Sequence, residues 1–160
     1  MDNTLINSAR FADVPFFSFK NLVTVGKISH IVDGDTAHIV MFDEHNKLMK
    51  LTCRMDGIDT PETKKTPELA RKARNRFVQL ATSCKIDVNS DIDKYALNKL
   101  IDANNTKIIY IDCFGADKYG RELTKIYIDE DKQLCVNDIL IKEGYARSYS
   151  GGTKSEFQEK

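Results

Sequence analysis

Arginine, carboxylate and threonine crowd into one short run of this chain, Arg54-Met55-Asp56-Gly57-Ile58-Asp59-Thr60-Pro61-Glu62. The run offers a guanidinium that can grip phosphate, a carboxylate able to hold a metal ion, and another able to take a proton from water. Two further stretches carry related chemistry. Val32-Asp33-Gly34-Asp35-Thr36 adds acids upstream, and Asp117-Lys118-Tyr119-Gly120-Arg121 adds a second arginine, a lysine and a tyrosine downstream. Each stretch alone is commonplace. The ordered set is an inventory for cleaving a phosphodiester with a hard metal ion.

Within that inventory, Asp35 and Asp59 supply carboxylates for an ion, and the Thr60 carbonyl supplies a neutral oxygen. Thr60 precedes Pro61, which biases it toward an extended backbone and helps fix where that carbonyl points. Glu62 is the candidate general base. Arg54 and Arg121 are candidate phosphate clamps, because their planar fork of donors is one that lysine cannot reproduce. Lys118 and Tyr119 share a loop with Arg121 and are candidates for contacting a neighbouring phosphate. Asp33 is either a partner of the metal site or a turn residue, since Asp-Gly is a frequent turn pair. Arg54 and Asp59 are an odd number of residues apart, so an unbroken strand would turn them to opposite faces. They converge only if the strand bends or ends between them, and Gly57 permits that cheaply.

The elements that must position these groups follow from periodicity. Strands are expected over residues 22–31, 36–42 and 47–55, the first closed by the Asp33-Gly34 turn. In the second strand Ala37, Ile39 and Met41 face inward, with Thr36, His38 and Val40 on the other face. A helix is expected over 67–83, with Pro67 in its first turn and Leu69, Ala73, Phe77 and Leu80 as its apolar stripe. Its polar face carries Arg71, Lys72, Arg74 and Arg76, read as a solvated surface. A second helix, capped by Ser90 or Asp91 and ending near residue 105, takes Tyr95, Leu97, Leu100 and Ile101 as its apolar set. Strands over 106–113 and 122–128 and a helix over 136–143, closed by Gly144, complete the chain. Five strands with a helix after the third predict an α+β, mainly β fold, a five-stranded OB-fold barrel with about three helices.

The motifs and their order resemble the staphylococcal nuclease (thermonuclease) family from about residue 22 to 149. Val32-Asp33-Gly34-Asp35-Thr36 is similar to the family's first motif, Arg54 with Gly57-Ile58-Asp59-Thr60-Pro61-Glu62 to the second, and Asp117-Lys118-Tyr119-Gly120-Arg121 to the third. Val136-Asn137 and Gly144-Tyr145-Ala146 resemble the closing helix and its exit. The resemblance implies a calcium-dependent phosphodiesterase cutting DNA and RNA to leave a 3′-phosphate and a 5′-hydroxyl, with Asp35, Asp59 and Thr60 at the ion. It also implies aromatics that stack on bases. Tyr149 is a platform on this reading, while Tyr145 packs in the core. Against the family pattern the loop between Glu62 and Pro67 is short, and residues 85–105 look like an insertion that modifies substrate access or binds a partner.

Composition bounds the rest. The 160 residues, 41% hydrophobic, suit one domain over residues 21–150, with an N-terminal extension over 1–20 and a polar tail over 151–160. The extension carries Phe11, Phe16, Phe17 and Phe19, which could dock onto the body or serve a partner. A formal net charge of +0 gives no overall basic field, which disfavours a simple nucleic-acid binder. Cys53, Cys84, Cys113 and Cys135 form no Cys-x-x-Cys pair and read as reduced core residues. His30, His38 and His45 lack metal-ligand spacing. No stretch reads as a secretory signal or membrane span, so a soluble intracellular monomer without membrane contact is expected. The leading expectation is a calcium-dependent endonuclease of low sequence specificity, acting on DNA or RNA with unpaired strands preferred. The alternatives are a catalytically inactive OB-fold module that binds single strands or a protein partner, and a phosphatase for small esters.

Overall fold

The computed structural model describes residues 3–151 of the chain. Residues 152–160, the bulk of the expected polar tail, lie outside the described residues. A short helix α1 (Thr4–Ser8) and a single 3-10 turn (Phe11–Asp13) precede the main body. Strands β1 (Val23–Ile31), β2 (Thr36–Phe42) and β3 (Leu48–Met55) follow, then the two-residue β4 (Ile58–Asp59), helices α2 (Pro67–Ala81) and α3 (Lys94–Asn104), strands β5 (Ile109–Ala116) and β6 (Glu122–Tyr127), helix α4 (Val136–Lys142) and the short β7 (Arg147–Ser148).

Five strands close into a barrel in the order β1-β2-β3-β6-β5, the OB-fold arrangement. Every pairing in the barrel is antiparallel except β3 with β6, which run parallel. The strands are rich in β-branched residues at alternate positions, which fit a half-buried pleated surface. Ile28, Ile39, Met41, Ile109, Ile111 and Ile126 fill the interior and are shielded from solvent. Phe77 and Val78 of α2, Leu97 and Ile101 of α3 and Val136 and Leu140 of α4 join the same cluster. The four cysteines are free and buried. Among the described residues no helix is long and apolar enough to cross a membrane.

β2 has the expected limits and inward set, and Thr36 shares the other face with His38 and Val40, where it is nevertheless buried, its hydroxyl donating to Asp35 Oδ1 at 3.0 Å. On α2, Arg74 leaves the expected solvated face. It is buried, and its guanidinium donates to Asn75 Oδ1 and to the Ile92 carbonyl, at 2.7 Å in the latter case. Helix α3 is capped by Asp93, whose Oδ1 accepts from the Ala96 N–H at 2.9 Å, rather than by Ser90 or Asp91. Tyr95 belongs to its outer face, not its apolar one. β5 begins later than its β-propensity suggests because Asn105 captures the preceding backbone. Its Oδ1 accepts from the N–H groups of Ser83 and Lys107 at 3.1 and 3.0 Å.

Residues 85–105 are bound tightly to the barrel by buried amides. Asn75 donates to the Val88 and Ser90 carbonyls, Asn98 both accepts from and donates to the Ile31 peptide, and Asn105 donates to the Ile28 carbonyl. A buried amide leaves no slack, since each unmade hydrogen bond costs about 1–3 kcal/mol.

Candidate active site

β3 ends at Met55, and the chain reverses through Asp56 and Gly57 before resuming as β4. Gly57 sits at φ 76°, a backbone region that side-chain-bearing residues avoid. The bend turns Arg54 and Asp59 toward each other, and Arg54 Nη2 donates to Asp59 Oδ1 at 3.4 Å. Arg54 Nη1 donates to the carbonyls of Met55 and Ile58 at 3.1 and 3.0 Å, so the guanidinium is anchored by the turn it spans. It is 8% exposed.

Asp35, at the entry to β2, approaches from the other side. Its Oδ2 lies 3.6 Å from Arg54 Nη2 and accepts from the Thr60 N–H and hydroxyl at 3.2 and 3.1 Å. Thr60 therefore meets Asp35 through its donors. Gly34 is constrained by this packing, because a Cβ there would stand 2.9 Å from Thr60 Oγ1. Asp33 turns its Oδ1 to accept from the Asp35 N–H at 3.1 Å.

The two acids differ in how tightly they hold a proton. Burial, followed by the negative charge of Asp35 and a hydrogen bond with it, pushes the Asp33 carboxyl up to about 6. Burial also pushes Asp35 up, but its hydrogen bond with Asp33, the Arg54 charge and the bonds from Thr36 and Thr60 outweigh it and hold Asp35 below the usual carboxylate range. Asp35 thus keeps its charge to lower pH than Asp33, and Arg54 stands between it and Asp59.

An open cavity of about 230 Å³ gathers the set: Asp33, Asp35, Arg54, Asp59, Thr60, Pro61, Glu62, Thr63, Lys64 and Arg121 line it. Glu62 is at its solvent edge, 46% exposed at the side chain, with Lys65 Nζ 3.8 Å from its Oε2. Arg121 enters from the β5–β6 loop. Its Nε donates to Asp117 Oδ2 at 2.8 Å, and Asp117 Oδ1 accepts from the backbone N–H groups of Tyr119 and Arg121. Sequence reasoning gave Asp117 no role. The acid four residues before the arginine, across a Gly-containing turn, was the available signal.

A second cavity of about 420 Å³ adjoins the first through Arg54 and Arg121 and holds Lys118, Tyr119 and Tyr149, with Asp56 in its wall. Tyr119 is exposed, with Lys118 Nζ and the Arg121 guanidinium 5.1 and 5.2 Å from its ring centroid. The Tyr149 ring lies 5.7 Å from the Arg54 guanidinium. Its backbone N–H donates to the Gly57 carbonyl, which extends the pairing of β7 with β4. Tyr145 is half-buried and packs against the core. Asn137 of α4 escaped sequence reasoning as a support. It is buried, accepts from the Ile126 N–H and donates to the carbonyls of Thr124 and Asp56, tying the Gly57 turn to the barrel.

The nine candidate residues named from sequence thus fall into two adjoining cavities at one end of the barrel. Among the described residues no group of three or more His, Cys, Asp or Glu side chains is arranged to hold a metal ion. Two buried carboxylates and a threonine oxygen are nevertheless all hard donors. They suit a cation such as calcium, which accepts water and substrate oxygens in the rest of its shell.

Comparison with known proteins bears on this geometry. The sequence pattern of a family described as "Staphylococcal nuclease homologue" matches residues 52–160. An uncharacterized protein of Methanocaldococcus jannaschii is 33% identical over 128 residues, covering 78% of this chain and 58% of its own length. An uncharacterized protein of Bacillus anthracis is 30% identical over 130 residues, covering 79% and 48%. Endonuclease YncB of Bacillus subtilis is 30% identical over 128 residues, covering 80% and 49%. The chain spans about half the length of these curated relatives.

Proposed function

The chain belongs to the staphylococcal nuclease homologue family, and from that premise we propose that it is a calcium-dependent endonuclease hydrolysing DNA or RNA with low sequence specificity. The observation that carries the reading is the meeting of Arg54, Asp35, Asp59, Glu62 and Arg121 around one open cavity. The endonuclease named among its relatives supports the same class of reaction.

Asp35, Asp59 and an oxygen of Thr60 would hold the ion, which when bound polarises the phosphoryl group and supplies positive charge beside it. Arg54 is held by two carbonyls and a carboxylate, so it meets the phosphate already oriented. Arg121 is fixed through Nε by Asp117, and its two Nη groups have no hydrogen-bond partner among the described residues. They are available as a fork for the charge that grows during attack. Glu62, in contact with solvent at the cavity edge, takes the proton from the attacking water. Tyr119 and Tyr149 offer ring faces, and Lys118 a charge, to the nucleotide beside the scissile bond. Stacking on a ring face requires an unpaired base, which favours single strands.

The test is cleavage of single-stranded DNA and of RNA with calcium and then with chelator. Calcium-dependent fragments with 3′-phosphate ends are expected, and Glu62→Gln should abolish most of them without unfolding the protein. Binding without turnover in the wild type would instead identify an inactive OB module.

A further inference from the structure

A third cavity, of about 410 Å³, lies apart from the cleavage site between the β1–β2–β3 surface and α3. His30, His38 and Lys50 line its barrel side, and Tyr95, Lys99 and Asp102 line its α3 side. The two imidazoles stack, with ring centroids 5.2 Å apart, and Asn98 Nδ2 lies 3.1 Å from His30 Nε2. Above them Tyr95 is 71% exposed, and Lys99 Nζ stands 4.8 Å from its ring centroid. Lys50 and Lys99 make no ion pair with any described residue, whereas Lys72 and Arg76 of α2 pair with Glu68 and Glu143.

Strand register connects this cavity to the cleavage site. Thr36 pairs with Arg54, His38 with Thr52 and Val40 with Lys50. Paired residues, and residues two apart, share a face. Arg54, His38 and Lys50 therefore rise from one outer surface, with Lys50 roughly 14 Å along the strand from Arg54. A cavity of about 300 Å³ also leads off the cleavage site toward α3, sharing Asp33 and Thr63 with it and reaching Lys94. Arg71 lines that passage and makes no hydrogen bond or ion pair with a described residue. Its Nε is buried without a partner.

We propose that a single-stranded nucleic acid leaving the cleavage cavity continues along this surface, its backbone phosphates on Arg71, Lys99 and Lys50 and one base stacked on Tyr95. The inserted segment then serves as an added grip on substrate. The proposal rests on the nuclease reading for its substrate class. Charge and chemistry select this occupant: unpaired cations follow a phosphate backbone, and an exposed aromatic face accepts any unstacked base. Four acids lie along the line as well, Asp102 in the cavity and Asp33, Asp91 and Asp93 in the passage, the last engaged as the α3 cap, against the five cations Arg71, Arg74, Lys94, Lys99 and Lys50.

The experiment measures fluorescence anisotropy in chelator, so that binding is read without cleavage. Labelled single strands of about 4 and about 16 nucleotides bracket the sites that OB folds occupy. The wild type should bind the longer strand more tightly. Tyr95→Ala with Lys99→Ala should weaken the long strand by about tenfold, given what one stacked base contributes, and leave the short strand unchanged. Lys50→Glu should act in the same direction, and each cation removed should lower the salt slope by about one. Equal effects on both lengths, no effect on either, or no binding by the wild type would overturn the proposal. Loss of cleavage with this length-dependent binding intact would count against the nuclease reading alone.

Discussion

Arg54 links the two proposed metal-binding acids to the turn that positions them. Its guanidinium reaches Asp59, stands near Asp35 and is gripped by the turn at Gly57. Gly57→Val would force a branched residue into φ 76°, at a cost of about 1–3 kcal/mol. We expect weakened calcium affinity and cleavage down by about 10²-fold, as for a misplaced catalytic group. Unchanged calorimetric affinity and rate would refute this role for Gly57. Asp117 makes a comparable prediction for Arg121. Asp117→Asn keeps the shape but weakens the charge-assisted bond, so kcat should fall while Lys118 and Tyr119 still bind product. Steady-state kinetics on a short oligonucleotide separates the two effects. A residue outside the site supplies the pH prediction. Glu122 is buried in β6, and burial raises its pKa against the opposing bond from the Gly115 N–H. A carboxyl raised in the folded state holds its proton longer there, so its stabilising contribution is complete below the unfolded pKa and is lost as pH rises through the folded one. Glu122→Gln should therefore raise the melting temperature at neutral pH by a few degrees, about 2–4 °C per kcal/mol for a chain of this size. The gain should vanish in acid. A thermal melt series across pH would show a constant difference if Glu122 does not titrate this way.

At the scale of elements, side chains carry the site because two short strands and an amide hold their backbones. Asn137→Ala would remove the amide's bonds to the Ile126 N–H and to the Asp56 carbonyl in the Asp56–Gly57 turn, while the Thr124 carbonyl would keep the Asp56 N–H. Denaturant unfolding should show a loss of about 2–4 kcal/mol from these unmet groups, with cleavage falling further than that loss in folded population explains. The same elements show what was legible in the sequence. β2 was readable to the residue because alternation and the flanking Asp-Gly turn agree. The need for a bend at Gly57 followed from counting residues between Arg54 and Asp59. The roles of Arg74, Asn75, Asn98 and Asn137 were not readable, since each is a polar residue that local pattern assigns to a surface. Only the folded chain brings the backbone groups that satisfy them, from residues as distant as Ile31 and Asp56. Asp93 outcompeted Ser90 and Asp91 as a cap for a similar reason: tertiary packing chose among three adequate candidates.

For the whole molecule, a chain with net charge +0 can engage polyanions only through local concentrations of cations. Arg54 and Arg121 at the barrel rim, with Lys118 in the adjoining cavity, provide one such concentration. Beside it, Asp35 and Asp59 share the single positive charge of Arg54, which leaves room for a further cation. Calcium should consequently stabilise the wild type by linkage, by about 2.7 kcal/mol at 100 times Kd, and so raise its melting temperature. It should do much less for Asp35→Asn or Asp59→Asn. Differential scanning fluorimetry with and without calcium reads this independently of catalysis, and an equal shift in all three proteins would remove those carboxylates from the ion.

The central claim is that three distant stretches act as a single hydrolytic centre, and double-mutant kinetics tests it most directly. Single-turnover cleavage with calcium should fall by about 10³-fold or more in Glu62→Gln and in Arg121→Ala. The double variant should lose little beyond the worse single one, because residues that act as a unit are not additive. Losses that multiply in the double variant, or single variants that cleave like the wild type, would contradict the account.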